Sequence, residues 1–154
     1  MTDPYLKPLE SPPDPDNPGW RSWNFPDPTR FNAVVMGHLL LRAEGERGAR
    51  LRMQPERRHS NLLDNVHGGI TLALADIALF ATMHVVLGIE TAGAVTVDLS
   101  TQFMGAGRIG QPLDAVAEIL RETRRLVFLR GLIEQDGLLV AAFSGTVRKA
   151  SERR

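Results

Sequence analysis

The run Asn61-Leu62-Leu63-Asp64-Asn65-Val66-His67-Gly68-Gly69, followed by Asp76, combines residue types that do chemistry at spacings that let them do it. Gly68 and Gly69 open a long apolar stretch, and two glycines at a helix start leave the backbone N–H groups unshielded by side chains. The first-turn N–H groups have no intrahelical partner, and the helix dipole is positive there. Such a start suits an anion, or the oxyanion that develops on an attacked carbonyl. Glycine pairs at helix starts also serve close packing, so the pair alone is a weak sign. Asp76 adds to it, because it falls mid-helix among apolar neighbours, where an unpaired carboxylate is costly. Two readings follow: a structural partner from the sheet or a neighbouring chain neutralises Asp76, or it is a general base or nucleophile in a pocket.

Gly68 and Asp76 lie eight residues apart on one helix, which is about 12 Å along its axis. A general base has to reach its proton within about 3 Å, directly or through one water. One carbonyl therefore does not touch both groups of the same chain. If both act on one substrate they come from two subunits, and the active unit is at least a dimer.

The elements that must position these residues follow from the patterning. Eight of the ten prolines fall within the first 28 residues, so residues 1–28 read as an extended arm. Trp20, Trp23 and Phe25 are expected to dock that arm on the body or on a neighbouring subunit, with residues before about Pro15 mobile. A short helical turn is expected around Thr29–Val35, ended by Gly37. His38–Arg42 and Ala49–Met53 read as strands joined by the polar turn Glu44–Gly48, and Pro55–Asn65 as a loop. One helix is predicted from about Gly68 to Leu87, stopped by Gly88. Ala94–Met104, Leu113–Glu122, Val127–Glu134 and Leu138–Lys149 read as strands, with Asp136-Gly137 a strong hairpin signal. The order is β-β-α-β-β-β-β, with one domain over 29–150 and a tail at 151–154. Ile70, Leu72, Leu74, Ile77, Leu79, Phe80, Met83 and Val86 cover every face of the helix, so it has to be wrapped. The fold class is α+β, with one antiparallel sheet curled around one central helix.

A chain of 154 residues is the size of one domain, and its 43% hydrophobic content is ordinary for a globular protein. Lys plus Arg equals Asp plus Glu at 18 each, so no net field draws nucleic acid or anionic lipid. There is no cysteine, which excludes disulfides, thiolate catalysis and zinc-thiolate sites, and is compatible with a cytoplasmic location. The first twenty residues lack the apolar core of a signal peptide. Ile70 to Ile89 has the length of a membrane span, but Asp76 near its middle and the flanking strands indicate a buried helix. His38, His59, His67 and His84 make no metal-ligand spacing, and no metal or cofactor is expected. Ser60, Ser100 and Ser144 lack a nucleophile-elbow context.

The pattern Asn-x5-His-Gly-Gly-x6-Asp at the head of a buried helix resembles the hotdog-fold acyl-CoA thioesterases, specifically the phenylacetate-pathway (PaaI-like) type. The resemblance covers roughly Phe31 to Ala150 and includes the strand after the helix, where Ala94-Val95-Thr96-Val97-Asp98 carries a hydroxyl residue. It implies hydrolysis of an acyl-CoA to a free acid and CoA. Gly68 N–H and Asn61 would bind the carbonyl, Gly69 would contribute to the substrate site, and Asp76 would act as base or nucleophile with Thr96 as its helper. His67 would support the loop and helix start, and the protein would be a homo-oligomer, a dimer or a tetramer. The family commonly has Gly where this chain has Asp64, which would either weaken polarisation from inside the site or cap the helix from outside.

Arg57-Arg58 and Arg124-Arg125 read as solvated arginines, or as partners for the phosphates of CoA; in proteins this chain resembles, the turn carrying the latter pair approaches CoA. Phe80, Met83, Phe103 and Met104 are acyl-tunnel candidates, or simply core. A non-catalytic acyl-CoA-binding hotdog protein is the alternative function; a hydratase of this fold would need an Asp/His pair on a different loop and helix.

Overall fold

A helix that is apolar all round stays in water only if most of its sides are covered, and here the sheet covers them. The computed structural model describes residues 10–151. In it α1 runs Gly68–Leu87, and Leu74, Ala75, Leu79, Ala81 and Met83 are completely buried. Its ends match the sequence expectation for a local reason. His67 caps the start, its Nδ1 accepting from Gly69 N at 2.8 Å, and Gly88 stops the helix in the left-handed conformation, at φ 63°.

Around α1 lie β1 (Arg21–Ser22), β2 (Leu39–Glu44), β3 (Gly48–Met53), β4 (Val95–Phe103), β5 (Leu113–Glu122), β6 (Leu126–Gln135) and β7 (Leu138–Arg148). They form one seven-stranded sheet in the order β1-β2-β3-β5-β6-β7-β4, with every neighbouring pair antiparallel. α1 touches each strand from β2 to β7, most extensively β3 and β5, so the sheet curls around it. Gly145 on β7 allows one close approach, since a Cβ there would stand 2.6 Å from the Leu79 side chain. The β6–β7 hairpin closes as its sequence indicates, with Asp136 and Gly137 both at positive φ, 47° and 79°. The helical turn falls at Asn32–Met36, ended by Gly37 as expected.

The N-terminal arm departs from expectation. It supplies a strand, β1, that its prolines conceal in the sequence, and it is ordered well before Pro15. Ser11 and Asp14 are buried, and Pro13 bridges to Arg21. Asp14 accepts from Ser22 Oγ at 2.7 Å and Asn17 Nδ2 at 2.8 Å, and His38 Nε2 lies 2.8 Å from it. These bonds hold the Asp14 carboxyl far below the usual carboxylate range. Mobility before Pro15 is therefore wrong for residues 10–14; residues 1–9 lie outside the described residues, as do 152–154 of the expected tail.

Trp20, Trp23 and Phe25 all dock, as expected. Trp20 lies between Arg42 and Arg52, whose guanidinium carbons are 4.5 and 4.6 Å from its ring. Trp23 is 2% exposed, with its ring 5.0 Å from that of His84 on α1, and Phe25 meets Trp23 edge-on. Burial of this kind gives a direct test: Trp23→Ala should cost about 3–5 kcal/mol, the range for emptying a large aromatic site. Urea unfolding should show it as a clear drop in midpoint; an unchanged midpoint would mean the arm is not part of the folded body.

Candidate active site

Asp76 sits on the half-buried side of α1 and opens into a cavity of about 410 Å³. Thr96 Oγ1 on β4 donates to Asp76 Oδ1 at 2.7 Å. The two side chains meet because Thr96 is at the start of β4, directly after the turn that returns the chain from the C-terminal end of α1. Ile77 and Phe80 of α1, the turn 91–94, Phe25 of the arm and Phe31 before the helical turn also line the cavity. At its rim Asp27 accepts from the hydroxyl and backbone N–H of Thr29 and pairs with Arg30 Nε at 3.0 Å, which holds the Asp27 carboxyl at about 2.

Asn61, His67, Gly68 and Gly69 assemble separately at the head of the helix. Asn61 Oδ1 accepts from Leu63 N at 2.9 Å and Asn65 N at 3.1 Å, which curls the loop and leaves the amide nitrogen for other contacts. The loop is braced from behind by His59, which is buried. Its Nδ1 accepts from Glu56 N at 2.8 Å, Nε2 lies 2.7 Å from Val35 O, and its backbone oxygen accepts from His67 N. Nothing in the sequence marks His59 as this brace. Gly68 is half-exposed, and among the described residues a Cβ on it would meet only the Phe103 ring, at 3.5 Å.

The expected site residues therefore fall into two groups, Asp76 with Thr96 and Asn61 with the His67-Gly68-Gly69 helix start, which one chain does not bring together. The separation follows the spacing of Gly68 and Asp76 along one rigid helix.

Asp64 has φ 57°, the left-handed region in which glycine is most at ease. It does not cap α1, a task His67 performs. Its side chain is 75% exposed and lies 3.4 Å from Arg57 Nη1, so its charge points to solvent. Arg58 pairs with Glu56 and donates to Val34 O, so this arginine is used locally. Arg124 and Arg125 are exposed on the β5–β6 turn. Arg148 pairs in register with both Leu126 and Val95, so that turn lies at the same end of the sheet as Thr96.

Of the acyl-tunnel candidates, Phe80 lines the Asp76 cavity and Met83 is core. Phe103 and Met104 are exposed, 56% and 51%, at the far end of β4. Sequence reading missed Phe31 and Asp27, whose place at the cavity depends on where the arm docks.

Comparison with known proteins bears on what these two groups of residues do. The model of the thioesterase superfamily matches residues 63–142. Acyl-coenzyme A thioesterase 13 of Mus musculus is 33% identical over 76 residues, 49% of this chain and 53% of that protein. The chain thus spans about half the length of this curated relative. Among solved structures, zebra fish thioesterase superfamily member 2 superimposes with a TM-score of 0.68 at 25% identity, covering 80% of this chain and 89% of the other. A variant of the phenylacetic acid degradation protein PaaI from Thermus thermophilus gives 0.65 at 26% identity, covering 80% and 99%.

Proposed function

The chain belongs to the thioesterase superfamily and has the hotdog fold, and on that premise we propose that it hydrolyses an acyl-CoA thioester to a free acid and CoA. The observation that carries this reading is the Asp76 carboxylate, opening into a cavity and oriented by the Thr96 hydroxyl. Asp76 either takes a proton from water as that water attacks the carbonyl carbon, or attacks it directly and is released by water afterwards. In both routes a C–O bond replaces the C–S bond, and the sulfur leaves with a proton as the thiol of CoA. The backbone N–H of Gly68 and the amide of Asn61 receive the charge that builds on the carbonyl oxygen. Gly69 keeps the approach to them open, His67 holds the helix start, and Arg124 and Arg125 take phosphates of CoA. The residues need no cofactor for this chemistry. A cytoplasmic location is part of the same proposal, in keeping with the use of CoA thioesters inside cells.

The carbonyl-binding half comes from a second copy. Among the described residues β4 is an outer strand with β7 on one side only, and it exposes Val95, Val97 and Phe103. An open strand edge of nine residues with these apolar side chains exposed is a template for pairing. Antiparallel pairing of β4 with its own copy about a two-fold axis sets the Phe103 end of one strand beside the Thr96 end of the other. Gly68 lies next to Phe103, and Asp76 next to Thr96, so each two-fold pairing brings one chain's helix start toward the other's carboxylate.

CoA release from a panel of aromatic and aliphatic acyl-CoAs, followed with a thiol reagent, tests the activity. Turnover is expected without added metal and unchanged by EDTA. Loss of activity with EDTA would refute this mechanism. Tight binding of the whole panel with no release above background would point to an acyl-CoA-binding protein instead.

A further inference from the structure

The outer wall of the Asp76 cavity is not built by the segment that matches the superfamily. Phe25, Pro26, Asp27 and Phe31 come from the N-terminal part of the chain, ahead of residues 63–142. We infer that this arm sets the acyl specificity, with Phe31 as the residue that limits acyl size, so that compact acyl groups (a ring or a short chain) are taken in preference to long unbranched ones. The inference rests on the thioesterase reading of the same cavity.

Three observations carry it. Phe31 remains 58% exposed while lining the cavity together with Ile77 and Phe80, a large apolar ring left uncovered. Folding alone gives no reason to hold it there. At about 410 Å³ the cavity is near the lower end of the range for small-molecule sites. The wall is also fixed in place. Trp23 is buried and its backbone N–H donates to Leu39 O at 2.8 Å, while the Asp27–Thr29–Arg30 bonds and Val34 N→Arg30 O shape the turn that carries Phe31. A chain too long for the cavity would have to displace the Phe31 ring or leave past the ionised Asp27, a poor surface for methylene groups.

The test compares hexanoyl-, benzoyl- and dodecanoyl-CoA on the full-length protein, Phe31→Ala and Phe31→Leu. Wild type should favour the two compact substrates over dodecanoyl-CoA by at least about tenfold in kcat/KM, a step within reach of an apolar pocket. Phe31→Ala should raise the dodecanoyl-to-hexanoyl ratio by about tenfold, chiefly through KM, and Phe31→Leu by much less. A wild-type preference for dodecanoyl-CoA, or the same ratio in Phe31→Ala, overturns the inference. Hexyl- and dodecyl-CoA thioethers, which cannot be hydrolysed, separate this from the activity itself. Equal affinities for the two thioethers in wild type would remove the size-limiting wall. Absence of release from every thioester, with the thioether preference intact, would remove the hydrolase reading alone.

Discussion

Asp76→Asn should lower acyl-CoA turnover by at least about a hundredfold, the low end of what a positioned base supplies. The substitution separates chemistry from geometry unusually well. The Asn oxygen can still accept from Thr96 Oγ1, as Asp76 Oδ1 does at 2.7 Å, so the side chain keeps its place beside β4. Lost are the capacity to take a proton and the negative charge needed for direct attack. Volume is unchanged, and the carboxylate is half-buried among apolar helix neighbours, so unfolding should show equal or greater stability. The measurement is kcat by thiol detection, with circular dichroism and a urea titration as the check on folding. A folded Asp76→Asn protein that retains wild-type kcat removes Asp76 from the mechanism, whether as base or as nucleophile.

The sequence displays this helix clearly because its determinants are local. Apolar residues on every face, His67 before two glycines and Gly88 after Leu87 specify where α1 begins, where it ends and that it is covered. The strands after it are legible for the same reason, each bounded by its own turn residues. The arm is not legible. Its prolines hide a two-residue strand, and what orders it is contact with residues far along the chain: Asp14 with His38, and Trp23 with His84 on α1. Three aromatics in six residues signal that the arm docks, but no local pattern states where. Phe31 and Asp27 escape notice as cavity residues on that account. Asp64 shows the converse. Its departure from glycine is visible in the sequence, whereas the outward turn of its charge toward Arg57 depends on the fold of the loop.

The proposed sharing of one site between two chains has the most demanding consequence. Asn61→Asp keeps the oxygen that accepts from Leu63 N and Asn65 N, so the loop keeps its shape. It removes the amide donor and sets a negative charge where the carbonyl oxygen becomes negative, so activity should fall by about a hundredfold. It is a sharper probe than Gly68→Ala, whose added methyl would rest in ordinary contact with Phe103 at 3.5 Å. Asn61→Asp and Asp76→Asn should each be nearly inactive alone. Combined by subunit exchange they should recover activity, because a mixed dimer holds one site with both defects and one site with neither. Random pairing makes half of the dimers mixed, each with one intact site of two, so recovery should approach about a quarter of wild type. Exchange is verified independently with differently tagged subunits. If the tags mix fully and activity stays at the level of the parents, Asn61 and Asp76 serve the same chain's site. The carbonyl would then have to be bound by groups other than the helix start, since Gly68 and Asp76 of one chain are about 12 Å apart along α1.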